Sequence, residues 1–245
     1  MKNIIKILFL TFILSCSKNN FEETEDLNAI IEENQYWNFY SKNGYLDSAV
    51  SKNKNYKVVF FYSGNLIDSI VELSIHAKKL ANKDTFVYLP KKHRKYYYIN
   101  NLLVREKIDI SLYDYNLDTT YYLKSNDLKY VQNYDNSITI TDVLNNYKTF
   151  IYLKNNNIIK TINALGTKIF EYDNRKNPYI NFIGFNRIYS HCNFSEIAEI
   201  SSQNNVTKMI WENEIFEYKI EYNSKKNPTK ISGGNRGYVE SFRFK

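Results

Sequence analysis

Cysteine, proline, glycine and histidine are all scarce. The 245 residues hold two cysteines, three prolines, seven glycines and three histidines. Two cysteines, Cys16 and Cys192, exclude a disulfide framework and a cysteine-rich metal site. The seven scattered glycines form neither a phosphate loop nor a dinucleotide-binding turn, and no nucleophile elbow is present. His76, His93 and His191 stand at no metal-ligating spacing. His191 precedes Cys192 directly, but neighbours on a strand point to opposite faces, so the two do not read as a base and its nucleophile. No catalytic residue, metal ligand or cofactor is assigned. Long apolar runs are missing too. The early run Ile7–Leu14 is eight residues, whereas a spanning helix needs roughly 20.

What the chain does have is tyrosine, asparagine, lysine and isoleucine. It carries 23 Tyr and 15 Phe and a formal charge of +7. Residues 17–33 hold Glu22, Glu23, Glu25, Asp26, Glu32 and Glu33 against Lys18 alone. The remainder is therefore more basic than the whole. A basic body behind an acidic stretch favours anionic partners through long-range steering, and it also simply keeps a protein soluble.

The opening "MKNIIKILFLTFILSC" joins a basic start to a short apolar core. That is the layout of an export signal rather than a membrane span. Its end, Leu14-Ser15-Cys16, resembles the lipobox of bacterial lipoproteins, and "SCSKNN" resembles those of the Bacteroidota. The resemblance implies cleavage before Cys16 and lipid on its sulfur. Stable anchoring takes more than one acyl chain. On this reading residues 1–15 are a signal peptide, 16–34 a lipidated cysteine and acidic tether, and 35–245 a single antiparallel β domain. The implied location is the outer membrane, with the protein facing the periplasm or the cell surface.

Beyond residue 55 the text alternates short β-rich runs with Asn, Asp, Gly or Pro punctuation, the pattern of hairpins. "YKVVFFY", "SGN" and "LIDSIVELSI" make the first example. The stretch 66–80 also carries a helical stripe at Leu66, Ile70, Leu73, Ala77 and Leu80, yet the turn before it and its β-branched content favour a strand. "PKKHR" reads as a basic hairpin turn before "KYYYI". A similar unit recurs from Tyr62, Tyr122, Tyr152, Tyr172 and Tyr222: an aromatic strand end, a polar turn with Asn, then a second strand. "YDNRKNPYINF" and "YNSKKNPTKI" are the nearest pair. A lone hairpin is marginal in water, so several must pair in series. The units resemble the YD-type repeats of secreted bacterial proteins, and 147–232 resembles uncharacterised Bacteroidota lipoproteins. That likeness implies a fold style and no activity. The expected fold is mainly β, an antiparallel meander of repeated hairpins after a signal peptide and short tether. One irregular insertion is expected at about 184–205, with a short helix near Phe194–Ile200.

Few residues suggest a site. Lys92, Arg94, Tyr96, Tyr97 and Tyr98 combine cations with flat aromatic area suited to a glycan or envelope polymer. Alternating tyrosines are equally cross-strand packing pairs. An export signal argues against nucleic acid. Ser48, Ser69 and Thr119 each follow Asp and precede Ala, Ile or Thr, a pattern resembling the O-glycosylation signal of Bacteroidota exported proteins. The functional expectation is a lipid-anchored, non-catalytic binding or structural protein. A glycan-binding accessory and an envelope hydrolase are the alternatives.

Overall fold

Turn chemistry accounts for much of the architecture. Asn43-Gly44, Asn100-Asn101 and Asn155-Asn156 all have both residues at positive φ. That conformation builds the primed turns whose twist matches the flanking strands, and Asn and Gly adopt it at low cost. The computed structural model describes residues 30–80, 83–114, 119–189, 197–233 and 238–244. Cys16, His191 and Cys192 lie outside them.

Seventeen strands appear among the described residues. They are β1 (Ile31–Glu33), β2 (Trp37–Lys42), β3 (Tyr45–Ser51), β4 (Tyr56–Ser63), β5 (Leu66–Leu80) and β6 (Lys83–Ile99). Next come β7 (Leu102–Asp114), β8 (Thr119–Gln132), β9 (Ser137–Asp142), β10 (Lys148–Lys154), β11 (Asn157–Asn163) and β12 (Gly166–Lys176). The last are β13 (Asn204–Trp211), β14 (Glu214–Tyr222), β15 (Pro228–Gly233), β16 (Tyr238–Ser241) and β17 (Arg243–Phe244). Every pairing is antiparallel and joins neighbours in sequence, except that β17 returns to β1. The meander therefore curls into a nearly closed barrel. Its ladder breaks at Phe242, where β16 leaves β15 and β17 takes up β1. Even there, Phe242 donates its N–H to the Thr229 carbonyl. Closure removes the sheet edges that a flat meander would expose.

The stretch 66–80 is a strand, β5, paired through Ser74 with β4 and along its length with β6. The Tyr62, Tyr152 and Tyr222 units are hairpins. Two other units are not. The Tyr122 unit is one unbroken strand, because Lys124–Asp127 stay in register with β7 and Asp127 bonds to Arg105. "PKKHR" is likewise strand rather than turn. Pro90, which has no N–H to donate, sits at a bulge opposite Leu73. The start of the domain also shifts. β1 begins at Ile31 and Asn34 is buried, so the last residues assigned to the tether belong to the barrel wall.

The Tyr172 and Tyr222 units diverge at their Asn-Pro. After Tyr222, Asn223 and Asn227 bond to each other and close a loop, and Pro228 opens β15. After Tyr172, β12 runs on to Lys176. Asn177 then caps a 3-10 turn, Pro178–Asn181, its side chain accepting the Tyr179 N–H and donating to the Ser202 carbonyl. Proline suits that first position because its missing N–H would be unpaired anyway. The irregular stretch thus begins at Pro178. It includes a second 3-10 turn, Phe185–Arg187, and α1 (Ile197–Ser201), and it ends at β13.

This stretch turns into the barrel and plugs it. Phe182, Phe185, Ile188, Ala198 and Ile200 are fully buried. Phe182 packs 6.0 Å from Phe39 and Phe185 lies 5.5 Å from Phe60. Burying each Phe or Ile among them stabilises the fold by about 1.5–3 kcal/mol. The Ile183 N–H bonds to the Gly44 carbonyl, tying the plug to the β2–β3 turn.

Candidate functional site

β6 carries the residues singled out from the sequence, and its alternation divides them. Lys92, Arg94, Tyr96 and Tyr98 face inward. Tyr97 faces outward, where Arg105 stacks 5.0 Å above its ring. The five do not form one exposed platform. Arg94 instead lies between two buried carboxylates, Glu72 and Glu106, at 3.1 and 2.6 Å. Glu106 accepts a further hydrogen bond from the Tyr130 hydroxyl at 2.6 Å, and Lys92 approaches Glu72 at 3.8 Å. Tyr98 donates to the Ile67 carbonyl.

Electrostatics follow from this packing. Burial opposes the charge on Arg94, but the Glu106 carboxylate, with Tyr96 and Glu72, outweighs it and holds the guanidinium protonated. Burial, then the adjacent Glu106, pushes the Tyr130 hydroxyl far above its ordinary range. Lys92 is pulled down by burial and by Arg94. Each charge in this cluster is met by another, and the cluster ties β5, β6, β7 and β8 together along the inner wall. Among the described residues every buried side-chain nitrogen and oxygen has a hydrogen-bond partner. None of their His, Cys, Asp and Glu groups is arranged to hold a metal ion.

A second buried polar group was not visible as a site in the sequence. Asn34 donates to the Glu240 carboxylate at 2.6 Å and to the Tyr179 hydroxyl at 3.1 Å. Beside it Tyr222 donates to Asp173, and Asn205 reaches both. Here the two repeat units meet through Asp173 of one and Tyr222 of the other. Asn177, Tyr179, Asn205, Tyr218 and Glu240 line a cleft of about 30 Å³, room for a water or two.

The outer wall differs from the inner. Lys95 pairs with Asp68, Arg105 with Asp127, Lys107 with Asp109, Lys208 with Glu171 and Arg243 with Glu32. The sector β9–β11 departs from this balance. Ile138, Ile140, Ile151 and Ile158 point inward and are buried. Alternation and register then place Thr139, Thr141, Lys148, Phe150, Tyr152, Lys154, Lys160 and Ile162 outward. Among the described residues, no carboxylate faces outward on these three strands. The one acidic residue in them, Asp142, is bonded within its own turn to Asn145. Of the serines and threonines singled out, Ser48 is half-buried in β3, Ser69 is buried and Thr119 is exposed at the start of β8.

No protein-family model matches the sequence, and no curated protein matches it. Among solved structures, the chain is similar to a porin-like protein from Bacteroides uniformis at 9% identity and a TM-score of 0.38, covering 88% of this chain and 96% of that one.

Proposed function

We propose that this chain is a non-catalytic lipoprotein of the outer membrane, held by lipid on Cys16, whose barrel stands beside the bilayer and binds or scaffolds rather than conducting solutes. One observation carries the reading: the barrel is packed solid inside, with aromatic side chains and fully paired polar groups, and carries ion pairs outside. A barrel that spans a membrane needs the reverse, an apolar outer band about 25 Å tall around a polar interior. Here ion pairs dot the outer face, while Phe39, Phe60, Phe182 and Phe185 fill the lumen. An export signal followed by Cys16 supplies an anchor that such a barrel lacks.

The test joins lipid labelling to fractionation. Cells fed a clickable fatty acid are expected to label the wild type and not Cys16→Ala, and the variant is expected to leave the membrane fraction. Protease shaving of intact cells then tells the surface from the periplasm. An unlabelled wild type, or a variant that fractionates like it, overturns the anchor. Stepwise conductance of the purified protein in planar bilayers overturns the packed-barrel half of the reading.

A further inference from the structure

We propose that the outward face of β9–β11, with the adjoining edge of β8, binds an acidic polysaccharide strand. The proposal deepens the envelope reading and rests on it. Three observations converge. The first is charge. Lys129, Lys148, Lys154 and Lys160 project from this face, and among the described residues none of them has an ion pair. Elsewhere on the wall, carboxylates sit among the cations, as at Lys95–Asp68, Lys107–Asp109 and Lys208–Glu171. Unneutralised cations on β8, β10 and β11, with no cation or outward carboxylate on β9 between them, attract an anion, with a reach set by the Debye length of about 8–10 Å.

The second is shape. Lys148, Phe150, Tyr152 and Lys154 alternate along one strand. Outward residues two apart are separated by about 6.8 Å, so the two terminal lysines lie about 20 Å apart with two rings between them. That is a straight track with cations at both ends, which suits a linear polymer better than a single phosphate group. The third is the floor. Phe150 and Tyr152 are half-buried, and Lys160 Nζ sits 5.7 Å from the centre of the Tyr152 ring. Flat rings offer apolar area to the C–H face of a pyranose, while the lysines meet its carboxylates. Thr139 and Thr141 add hydroxyls on the neighbouring strand. The linear spacing of cations and rings along β10 favours an extended polysaccharide over a lipid headgroup.

The experiment uses the full chain extracted in detergent and three polymers on affinity gels: polygalacturonate, neutral dextran and polyglutamate. Phosphatidylglycerol vesicles serve as the membrane probe. Polygalacturonate is expected to retard the wild type, with an effect that fades as salt rises, while dextran and polyglutamate retard it far less. Replacing Lys148, Lys154 and Lys160 by Gln is expected to weaken binding at least tenfold. Replacing Lys95, Lys208 and Lys230 by Gln removes the same charge from positions paired with Asp68, Glu171 and Glu221 and is expected to change it less than threefold. Tyr152→Ala separates stacking from charge: binding falls several-fold and stays salt-dependent. Thermal melts establish that each variant is folded. The proposal is overturned by equal retardation on polyglutamate, by equal loss in the two triple variants, by binding to vesicles alone, or by no binding at all. Each of these results is independent of whether Cys16 carries lipid, so failure here is distinct from failure of the anchor.

Discussion

Arg94 Nη1 lies 2.6 Å from Glu106 Oε1 inside the barrel wall, and neither side chain reaches solvent to any useful extent: Glu106 is 0% exposed and Arg94 7%. Breaking a buried pair costs more than the pair contributes, because the survivor stays buried and charged. Arg94→Met leaves the fully buried Glu106 without a cation and Glu72 with Lys92, 3.8 Å away. The expected loss is about 3–5 kcal/mol in urea unfolding. Adding Glu72→Gln and Glu106→Gln to it recovers part of that loss. A single-variant loss under about 1 kcal/mol contradicts the dry, paired wall described above.

The plug is expected to stabilise the barrel rather than decorate it. Phe182→Ala and Phe185→Ala each remove a fully buried ring, for an expected loss of about 3–5 kcal/mol. Gly184→Ala tests the same segment by another route. Gly184 has φ +87, and a Cβ there would sit 3.1 Å from the Ile67 backbone nitrogen. Alanine is therefore strained as well as crowded, and it should lower the melting temperature. If all three variants melt like the wild type, the segment does not fill the lumen.

Asparagine turns should discriminate between small and branched replacements. Asn155 and Asn156 both hold positive φ. Asn156→Gly is expected to be neutral within about 0.5 kcal/mol, whereas Asn156→Val should cost about 1–2 kcal/mol from the left-handed penalty. Chemical denaturation of the two variants side by side checks the difference.

Alkaline pH should unfold the protein early. Burial raises the Tyr62, Tyr98, Tyr130 and Tyr222 hydroxyls above their ordinary value near 10, and carboxylates add to it, Asp47 at Tyr62, Glu106 at Tyr98 and Tyr130, and Asp173 at Tyr222. These groups keep their protons in the folded state after the unfolded chain has lost them. The unfolded state then binds fewer protons, so stability is whole below pH 10 and falls as pH rises above it. The slope is about 1.4 kcal/mol per pH unit for each such tyrosine. Tyr130→Phe removes one of these groups, so the alkaline limb of its stability–pH curve should be shallower. An unchanged slope would mean that Tyr130 is not the buried donor to Glu106.

Much of this molecule could be read locally. Antiparallel strands, the Asn-Asn and Asn-Gly turns and the strand at 66–80 follow from alternation and from which residues tolerate positive φ, and both are properties of a few neighbours. The sequence also marked the break in rhythm at about 184–205. It could not say where that break goes. Asn177-Pro178 and Asn227-Pro228 are the same dipeptide, but one starts a plug and the other a strand. The difference lies in the partners of Asn177, Ser202 and Gln203, which arrive from the far side of α1. Lys124–Asp127 looked like a turn because its residues are polar, yet a long strand paired with β7 tolerates polar residues on its outer face. Arg94 and Tyr97 looked like members of one cluster because they are close in sequence. Period-two alternation sends them to opposite sides of the wall, and only closure of the barrel made one side dry and the other wet. The unneutralised lysines of β9–β11 were legible singly. Register decided that they share one face with Phe150 and Tyr152 and that no carboxylate does. Sequence by itself determined the elements and their turns, because those depend on short-range sterics and pairing. Tertiary structure decided inside from outside, because that depends on how the ends of a 17-strand meander meet.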